Sequence, residues 1–430
     1  MAMPFSDVSA FRRNPLELLL NRADDRSLGF VPLYLGLRPM WLVTDPKLAR
    51  SVLKWPTTQV DKGRLVQTIT PLVGKSLLTN VGEAHAKSKS AMHRHVHRSG
   101  VIPNIDRMVA IINQFVARVT VSGSVDTARE LPELAFQLAC VVVFGHDAIT
   151  AADRTLLVQA VRTVEAEVAD SIFRLPFVPR LPWEARKHAD RLSYARFVID
   201  TVVKRVRSSE KRSGVIRGLE EAGLSDEDIS AEVLGLLIAG HHTTGATMGW
   251  LLHHLAVDPE IAEMIGIEAD QAMQKLEEND VTALKQAPLS EAYISEILRL
   301  YPAGWWTSRE VFEPIEINGQ KFRVGDMFMV SPWQMHRDHR LWAQPSEFKL
   351  DREFSGEAYM PFGIGPRACI GMSIAWFELQ LFTLLVAGSL RFRGTLQVRP
   401  APVPSITLLY PGDIFEVKPR MPTTRLKMTG

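Results

Sequence analysis

Apolar residues recur at helical spacing over most of the chain, from about residue 46 to residue 300. Before this region, apolar and aromatic residues between Val31 and Thr44 flank the sequence Gly36-Leu-Arg-Pro39. Residues of these types on either side of a Gly/Pro turn predict two short strands joined by that turn. The N-terminal part is therefore expected to be richer in β-structure over residues 31–44.

The last third of the chain mixes strand and helix patterns. Ile315-Glu-Ile-Asn-Gly-Gln-Lys-Phe322 has the Asn-Gly turn of a β-hairpin. Helix returns after Gly371, and short strands are predicted from Leu390 onward. No linker rich in Gly, Ser or Pro divides the chain. We therefore predict a single domain over residues 1–430, mainly α with small β-sheets, which is the α+β class.

One predicted helix, residues 226–257, is unusually long. Ser225 is suited to its N-cap, and acidic residues fill its first turn, which favours the helix dipole. About 32 residues rising about 1.5 Å each give a rod of about 48 Å, long enough to cross a domain. Its middle holds Ala239-Gly-His-His-Thr-Thr244. Small and polar residues cost stability in a buried helix, so this patch is either a tolerated defect on a solvated face or a groove that faces a cavity.

Composition excludes several classes of protein. Of 430 residues, 46% are apolar and 23% are charged, close to the soluble globular average, and the net charge is only +2. Nothing here requires a nucleic-acid partner. The N-terminus lacks the features of a signal peptide, and no uninterrupted apolar run reaches the roughly 18 residues of a membrane span. We expect a cytoplasmic monomer.

The two cysteines differ in their surroundings. Cys140 lies in the apolar run Leu138–Phe144, where a thiol packs as a small hydrophobic side chain. Cys369 lies in Phe362-Gly-Ile-Gly-Pro-Arg-Ala-Cys-Ile-Gly371, just before a predicted helix whose free N–H groups favour a thiolate. A lone thiolate on a glycine-rich loop is suited to be the axial ligand of one large planar metal centre.

A structural zinc site and a catalytic Cys–His pair are two alternative roles for Cys369. Structural zinc needs several Cys or His ligands close together, and this segment offers none. A catalytic Cys–His pair would need His336 or His339 to lie beside the thiol, and nothing in the local sequence favours it.

The segment from Phe362 to Gly371 resembles, position by position, the haem-binding signature of the cytochrome P450 superfamily of haem-thiolate monooxygenases. The resemblance implies the P450 fold, a helical body shaped like a triangular prism around haem b (iron protoporphyrin IX). It also implies that Cys369 is the axial ligand of the haem iron, with Phe362, Gly363 and Gly371 against the cofactor. Further motifs follow in the family's order.

The first of these motifs is Glu296-Ile-Leu-Arg299. On a protein surface such an i,i+3 pair would be an ordinary ion pair of well under about 1 kcal/mol. It resembles the family's buried E-x-x-R, which an arginine before the cysteine loop completes. That residue would be Arg352. The resemblance implies a structural triad that holds the region of the Cys loop in place.

The second motif is the patch in the long helix. It resembles a family pattern that places Ala239 and Gly240 against the haem and gives Thr243 a role in proton delivery during oxygen activation. The family's acid position holds His242 here, which puts the usual carboxylate route in doubt, although histidine can relay protons near neutral pH. Sterol 14α-demethylases also carry His then Thr. Their tyrosine-containing motif is absent, so the sterol substrate is not carried over.

The third group consists of cations that would hold the haem propionates. His85 and Lys89 resemble a family pair in which His and a basic residue four places on grip one propionate. Lys89 stands where arginine is more usual, so it would act as a point charge. Arg309 and Arg367 match two further propionate-binding arginines of the family. Without the family resemblance, each of these basic residues would be interpreted as a solvated surface residue.

The resemblance also implies partners. No flavin or iron–sulfur motif is visible, so we expect electrons from a separate ferredoxin or flavodoxin and its reductase. A basic docking face for such an acidic partner is predicted from four residues. They are Lys87, Lys89, Arg94 and Arg98.

The substrate pocket is predicted beside the long helix, from Leu236, Trp305, Trp306 and Ile406 together with the segment 66–78. At least one of the two tryptophans is expected to pack in the core. The wall is apolar, which favours a mid-sized apolar substrate such as a terpenoid, a fatty acyl chain or a polyketide-like aromatic compound. The enzyme would insert one atom of O2 into it.

Two alternatives to such a monooxygenase remain open. The first is a haem-thiolate enzyme that uses peroxide, or one that catalyses a redox-neutral reaction. The second is a non-catalytic haem sensor or ligand carrier, which would not need Thr243.

Overall fold

The computed structural model describes residues 4–24, 29–97, 100, 102–145, 148–173, 180–277, 284, 286–394 and 400–421. Its helices are α1 (Val8–Arg13), α2 (Pro15–Asp24), α3 (Pro46–Lys54), α4 (Arg64–Val73), α5 (Gly82–Val96), α6 (Ile105–Ser122), α7 (Thr127–Phe144), α8 (Ala151–Phe173), α9 (Pro182–Arg207), α10 (Gly214–Glu221), α11 (Asp226–Val257), α12 (Pro259–Glu277), α13 (Pro288–Leu300), α14 (Pro332–Met335) and α15 (Met372–Ser389). Its strands are β1 (Phe30–Leu33), β2 (Met40–Val43), β3 (Val60–Asp61), β4 (Ser124–Asp126), β5 (Thr307–Val311), β6 (Ile315–Ile317), β7 (Gln320–Phe322), β8 (Met327–Val330), β9 (Leu390–Arg393), β10 (Val403–Pro404), β11 (Leu408–Leu409) and β12 (Ile414–Pro419).

The sheets are small and join distant parts of the chain. The main sheet has the strand order β1-β2-β8-β5-β3, with β2 and β8 parallel and the other pairs antiparallel. A second sheet has the order β4-β12-β9, and β6-β7 and β10-β11 are two-stranded. The predicted hairpin is confirmed: β6 pairs with β7, and Asn318 and Gly319 have φ of 50° and 79°, as their tight turn requires.

The long predicted helix is confirmed as α11. Ser225 caps it, since its Oγ accepts a hydrogen bond of 3.1 Å from the backbone N–H of Asp228. The helix packs against α7, α15 and α9. Its glycines permit close packing: a Cβ at Gly249 would lie 2.8 Å from the ring of Tyr410, and one at Gly245 would lie 2.9 Å from Cα of Pro132. The helix is therefore a central element, buried along most of its length.

Helix α15 carries the residues that follow Cys369. Among the described residues it is the one helix whose length and composition would allow it to cross a membrane. Most of it is buried inside the protein, including Glu378, and it packs against α12 and α11. Burial raises the pKa of the Glu378 carboxyl to about 8. A core helix has the same apolar composition as a membrane span, so the composition of α15 is weak evidence for a span.

Cys140 packs as predicted. It lies in α7 with 2% of its surface exposed, and burial raises the pKa of its thiol well above the usual range. Neither cysteine forms a disulfide bond.

Candidate functional site

The Cys369 loop is a folded turn, held by its own backbone. The backbone N–H of Cys369 donates to the carbonyl of Phe362 at 2.9 Å, and the N–H of Gly363 donates to the carbonyl of Met360 at 3.0 Å. Gly363 and Gly365 have φ of 65° and 77°, which other residue types rarely adopt. The loop therefore presents the thiol from a defined backbone conformation, as the glycine spacing predicts.

Gly365 fixes this loop against α3. A Cβ at Gly365 would lie 2.4 Å from the carbonyl oxygen of Leu53, far inside contact distance. No such obstacle exists at Gly363, where a Cβ would meet nothing within 4 Å among the described residues. Gly365 thus needs to be glycine both for its backbone angle and for its close contact with α3.

Cys369 is exposed to solvent, although protein atoms surround most of its thiol group. Those surroundings raise its pKa, while a hydrogen bond from the backbone of Gly371 and the charge of Lys89 lower it. Helix α15 begins directly afterwards at Met372, with no side-chain cap. Its first N–H groups are therefore available to stabilise negative charge near the sulfur.

On α11, the predicted patch includes an exposed residue in an otherwise buried helix. Ala239 is exposed, while the residues one turn away on either side are at least partly buried. The Thr243 hydroxyl donates to the Ala239 carbonyl at 2.7 Å. A Cβ at Gly240 would meet only Ala139 of α7, at an ordinary 3.5 Å. The patch is thus exposed at Ala239 and packs against α7 at Gly240, and its interpretation as a groove that faces a cavity stays a prediction.

Arg367, in the Cys369 loop, is paired with Asp61 of β3. Its Nε donates to Oδ1 of Asp61 at 2.7 Å, a second nitrogen pairs with Oδ2, and a third donates to the Asn80 carbonyl at 2.8 Å. Both side chains of the ion pair are almost fully buried. The sequence did not indicate Asp61, because a lone acid in a short strand carries no local signal.

Two more cations surround this pair, and we call Lys62, Arg309 and Arg367 with Asp61 the cationic cluster. Arg309 is buried and hydrogen-bonds to the hydroxyl of Thr307 at 3.0 Å, and the ammonium of Lys62 donates to the Leu78 carbonyl at 3.1 Å. Burial, followed by the charges of Arg367 and Arg309, lowers the pKa of Lys62 to about 8. Burial also lowers the pKa of Arg309 to about 10. The cluster thus has three cations to one carboxylate and can accept further anionic groups.

His85 and Lys89, one turn apart on α5, lie at the edge of this cluster. Burial, then the charges of Arg367 and Lys62, lowers the pKa of His85 to about 4. His85 is therefore neutral near pH 7 and can hold an anion only by hydrogen bonding. The ammonium of Lys89 donates to the Pro366 carbonyl at 2.7 Å, which ties α5 to the cysteine loop.

The structure brings Glu296, Arg299 and Arg352 together, and the first two are fully buried. Arg299 donates to both oxygens of Glu296, at 2.6 and 2.7 Å, and Arg352 Nε donates to Glu296 Oε1 at 2.9 Å. Arg299 also donates to three backbone carbonyls. These are the carbonyls of His336 at 2.8 Å, Pro345 at 2.7 Å and Glu347 at 3.0 Å. All five N–H donors of the guanidinium are thus used.

His336 connects this triad to the Cys369 loop. Its Nδ1 lies 3.1 Å from the carbonyl of Arg299, and its Nε2 accepts the backbone N–H of Met360 at 3.1 Å. Met360 in turn accepts the hydrogen bond from Gly363. Burial lowers the pKa of His336 to about 3, so the ring is neutral and holds one proton on Nδ1. Both ring nitrogens are occupied by backbone groups, and His339 lies 3.4 Å from Asp24, so neither histidine is arranged as a base for Cys369.

His242 has a carboxylate partner that the sequence did not reveal. Its Nε2 lies 2.7 Å from Oε2 of Glu165, which comes from α8 and is 77 positions earlier in the chain. Burial raises the pKa of Glu165, and the hydrogen bond from His242 opposes that shift. About a third of the His242 side chain is exposed. A carboxylate from another helix thus lies beside the position where the family pattern places an acid.

Glu165 and His242 open onto a cavity of about 270 Å³ between α8, α11 and the segment 405–409. Ile406, a predicted pocket residue, lines it, as does Ile238 of α11. Of the other predicted pocket residues, Leu236 and Trp306 are partly buried. Trp305 is fully buried, and its ring N–H donates to the Ser405 carbonyl at 3.0 Å. It packs in the core, the role expected of at least one of the two tryptophans.

The predicted docking face is only partly described. Lys87 is exposed on α5, and Lys89 is half-buried. Arg94 is exposed but pairs with Glu221 of α10. Arg98 lies outside the described residues.

The glycine-rich cysteine loop precedes α15, the E-x-x-R pair is buried, and Thr243 lies in the middle of the long helix α11. The model of the family described as Cytochrome P450 matches residues 11–403. The chain belongs to the cytochrome P450 family.

Two curated relatives of this P450 come from Streptomyces melanosporofaciens. Cyclooctatin synthase is 26% identical over 417 residues, covering 92% of this chain and 90% of the relative. Cyclooctat-9-en-7-ol 5-monooxygenase is 25% identical over 422 residues, covering 93% and 88%. Cytochrome P450 3A40 of Oryzias latipes is 31% identical over 205 residues, covering 46% of this chain and 39% of the relative.

Membership confirms the predicted α+β P450 fold and shows that this P450 is a haem-thiolate monooxygenase with iron protoporphyrin IX as its cofactor. The residues present fit that group. They offer one accessible thiol for the iron and a cationic cluster with more positive charge than Asp61 balances, as two propionates require. The family also implies redox partner proteins and an organic substrate.

Proposed function

We propose that this P450 inserts one atom of O2 into a mid-sized apolar substrate, with electrons from a separate ferredoxin or flavodoxin and its reductase. The observation that carries the proposal is the hydrogen bond between Glu165 and His242, next to Thr243. Oxygen activation with external electrons consumes protons, and these three residues are proposed to deliver them. A haem sensor or ligand carrier has no need of such a route.

Cys369 is proposed to bind the haem iron, and the cationic cluster with Lys89 and neutral His85 to hold the propionates. When bound, the haem supplies the redox chemistry of oxygen. Phe362, Gly363 and Gly371 shape the cysteine side of this site, and Ala239 and Gly240 lie on the helix side. The triad of Glu296, Arg299 and Arg352 is proposed to act only by holding the loop.

His242 and Glu165 are proposed to hold and move the proton that Thr243 needs. His242 Nε2 and Glu165 Oε2 share a proton in a hydrogen bond of 2.7 Å. His242 is partly exposed and so exchanges its proton with water, whereas Glu165 is buried. Glu165 therefore acts as a positioning residue that orients the imidazole of His242.

The substrate is proposed to lie against α11 and the segment 405–409. The cavity there combines an apolar wall that includes Ile238 and Ile406 with the polar groups of Arg162, Glu165 and His242, and its 270 Å³ lies just below the usual range for ligand pockets, about 300–1,000 Å³. One relative acts, by its name, on cyclooctat-9-en-7-ol. A ring-containing apolar alcohol, among terpenoid, fatty acyl and polyketide-like candidates, is the first class to test.

Reconstitution with a surrogate ferredoxin and its reductase tests the function. After a spin-shift screen of ring alcohols, fatty acids and aromatic compounds, we expect NADH and ¹⁸O2 to give a product with one ¹⁸O atom. Hydrogen peroxide alone should give far less product. Equal turnover with peroxide, or product formation without any oxidant, would instead favour the peroxide-dependent or the redox-neutral enzyme.

The change Glu165→Gln tests the proton route. We expect the fraction of electrons recovered in product to fall roughly 10-fold, with hydrogen peroxide released instead, because the glutamine amide cannot exchange a proton with His242. A direct acid–base group typically contributes 10²- to 10⁴-fold, and Glu165 acts through His242. Thr243→Ala should uncouple the reaction at least as strongly. The measurement is product formed per NADH consumed, as a function of pH.

Glu167→Gln is a matched control, because Glu167 is also a buried carboxylate of α8 that pairs with a histidine, His188. It should leave the coupling unchanged. Unchanged coupling in Glu165→Gln with full haem content would show that Glu165 has no part in proton delivery.

A further inference from the structure

A cluster of three side chains lies between α8 and α11. It consists of Glu165, His241 and His242, so a second histidine faces the carboxylate that pairs with His242. Their candidate ligand atoms all lie within 4.8 Å of one another. Oε2 of Glu165 lies 2.7 Å from His242 Nε2, and Oε1 lies 3.3 Å from His241 Nδ1. The two carboxylate oxygens thus face two different imidazoles, which neighbouring positions of α11 present to α8.

Two polar atoms of this cluster are buried without a hydrogen bond from any described residue. They are Oε1 of Glu165 and Nε2 of His241. His241 is fully buried, and its Nδ1 makes one hydrogen bond of 3.3 Å, to the carbonyl of Leu237 in its own helix. A buried carboxylate oxygen without a hydrogen bond is costly, and a cation between it and the two rings would satisfy it, whereas Nε2 of His241 would not bind the ion.

We propose that Glu165, His241 and His242 bind a divalent transition metal ion of the zinc class. Two imidazole nitrogens and one carboxylate oxygen form a donor set that zinc accepts in proteins, with metal–ligand distances of about 2.0–2.2 Å. Small side-chain rotations would bring the three atoms to such distances from one ion. His241 would bind through Nδ1 and give up its contact with the Leu237 carbonyl.

The cavity of about 270 Å³ gives the ion both an entrance and a fourth ligand. Glu165 and His242 line this cavity, so a water molecule there can complete a tetrahedral site. Arg162 lines the same cavity, and its charge opposes a cation. Binding releases the proton shared by His242 and Glu165, so the added positive charge is less than two units.

A bound ion would occupy the atoms of the proposed proton route and tie α8 to α11. Metal binding itself does not depend on the proposed function, whereas inhibition of coupled turnover by the metal rests on it. The site is therefore expected to act as an inhibitory one, in which zinc raises the share of electrons lost to hydrogen peroxide.

Isothermal titration of ZnCl2 into the haem-loaded, tag-free enzyme tests the site. We expect one tight site in the unchanged enzyme, weakened by about 100-fold or more in Glu165→Gln and in His242→Ala. His339→Ala is the matched control, because His339 is an exposed histidine 3.4 Å from a carboxylate, without a second histidine in that contact. It should keep the tight site. The Soret band confirms that each variant has retained its haem.

X-ray absorption at the zinc edge identifies the ligands. Nitrogen and oxygen neighbours at about 2.0–2.1 Å support the site, whereas a sulfur neighbour at about 2.3 Å would place the zinc on a cysteine and overturn it. Tight binding that survives both Glu165→Gln and His242→Ala, or no tight site in the unchanged enzyme, would also overturn it. Tight binding at this site without inhibition would leave the metal site standing and contradict the proposed proton route.

Discussion

Replacement of Cys369 by alanine is expected to abolish thiolate ligation. The reduced, CO-treated unchanged enzyme should show the strongly red-shifted Soret band of thiolate-bound haem, and Cys369→Ala should not show it. The reason is that the chain has only one other cysteine, Cys140. Cys140 is buried in α7, and burial raises the pKa of its thiol well above the usual range. Monooxygenase turnover should fall below detection in the same variant.

Cys140→Ala provides the matched control for this experiment. It removes a buried sulfur and should cost about 1 kcal/mol of stability through lost packing, while the red-shifted band remains. A Cys369→Ala protein that keeps the red-shifted band would show that another group binds the iron, and it would overturn the assignment of the site.

Arg299→Ala is expected to have the largest effect on stability. Removal of this guanidinium leaves the Glu296 carboxylate buried without its main partner and removes donors from three backbone carbonyls. Breaking a buried ion pair by removing one partner typically costs about 3–5 kcal/mol. Chemical unfolding of the variant should show a loss of that size, with reduced haem content, because His336 links Arg299 to the Cys369 loop.

Two further variants show whether the geometry of Arg299 accounts for the loss. Arg299→Lys keeps the charge but offers three donors where five are used, so it should recover only part of the lost stability. Arg217→Ala breaks an exposed ion pair of 2.8 Å with Glu221 and should change stability by less than about 1 kcal/mol. Equal losses in Arg299→Ala and Arg217→Ala would contradict the structural role of the triad.

The parts of this fold that local chemistry determines could be predicted from the sequence. The bounds of α11 follow from the cap at Ser225 and the acidic first turn, and the β6–β7 hairpin follows from Asn318-Gly319. The family and the α+β class are confirmed by the family match. The single-domain assignment and the roles of individual site residues stay predictions.

The parts that depend on contacts between distant segments could not be predicted. Glu165 reaches His242 across 77 positions, and Asp61 reaches Arg367 across 306. Neither acid has a local pattern, because its role comes only from the packing of α8 on α11 and of β3 on the cysteine loop. The sequence makes His336 available as a possible base for Cys369, whereas in the structure both its ring nitrogens contact backbone groups.

The contrast between the two cysteines has a practical consequence. Cys140 is buried in α7, and burial raises the pKa of its thiol. Thiol reagents should therefore not modify it while the protein stays folded. Cys369 is exposed. If its sulfur binds iron, alkylation at this one position competes directly with the cofactor. The number of thiols that a reagent titrates in the native protein then counts the molecules that have not yet acquired their haem.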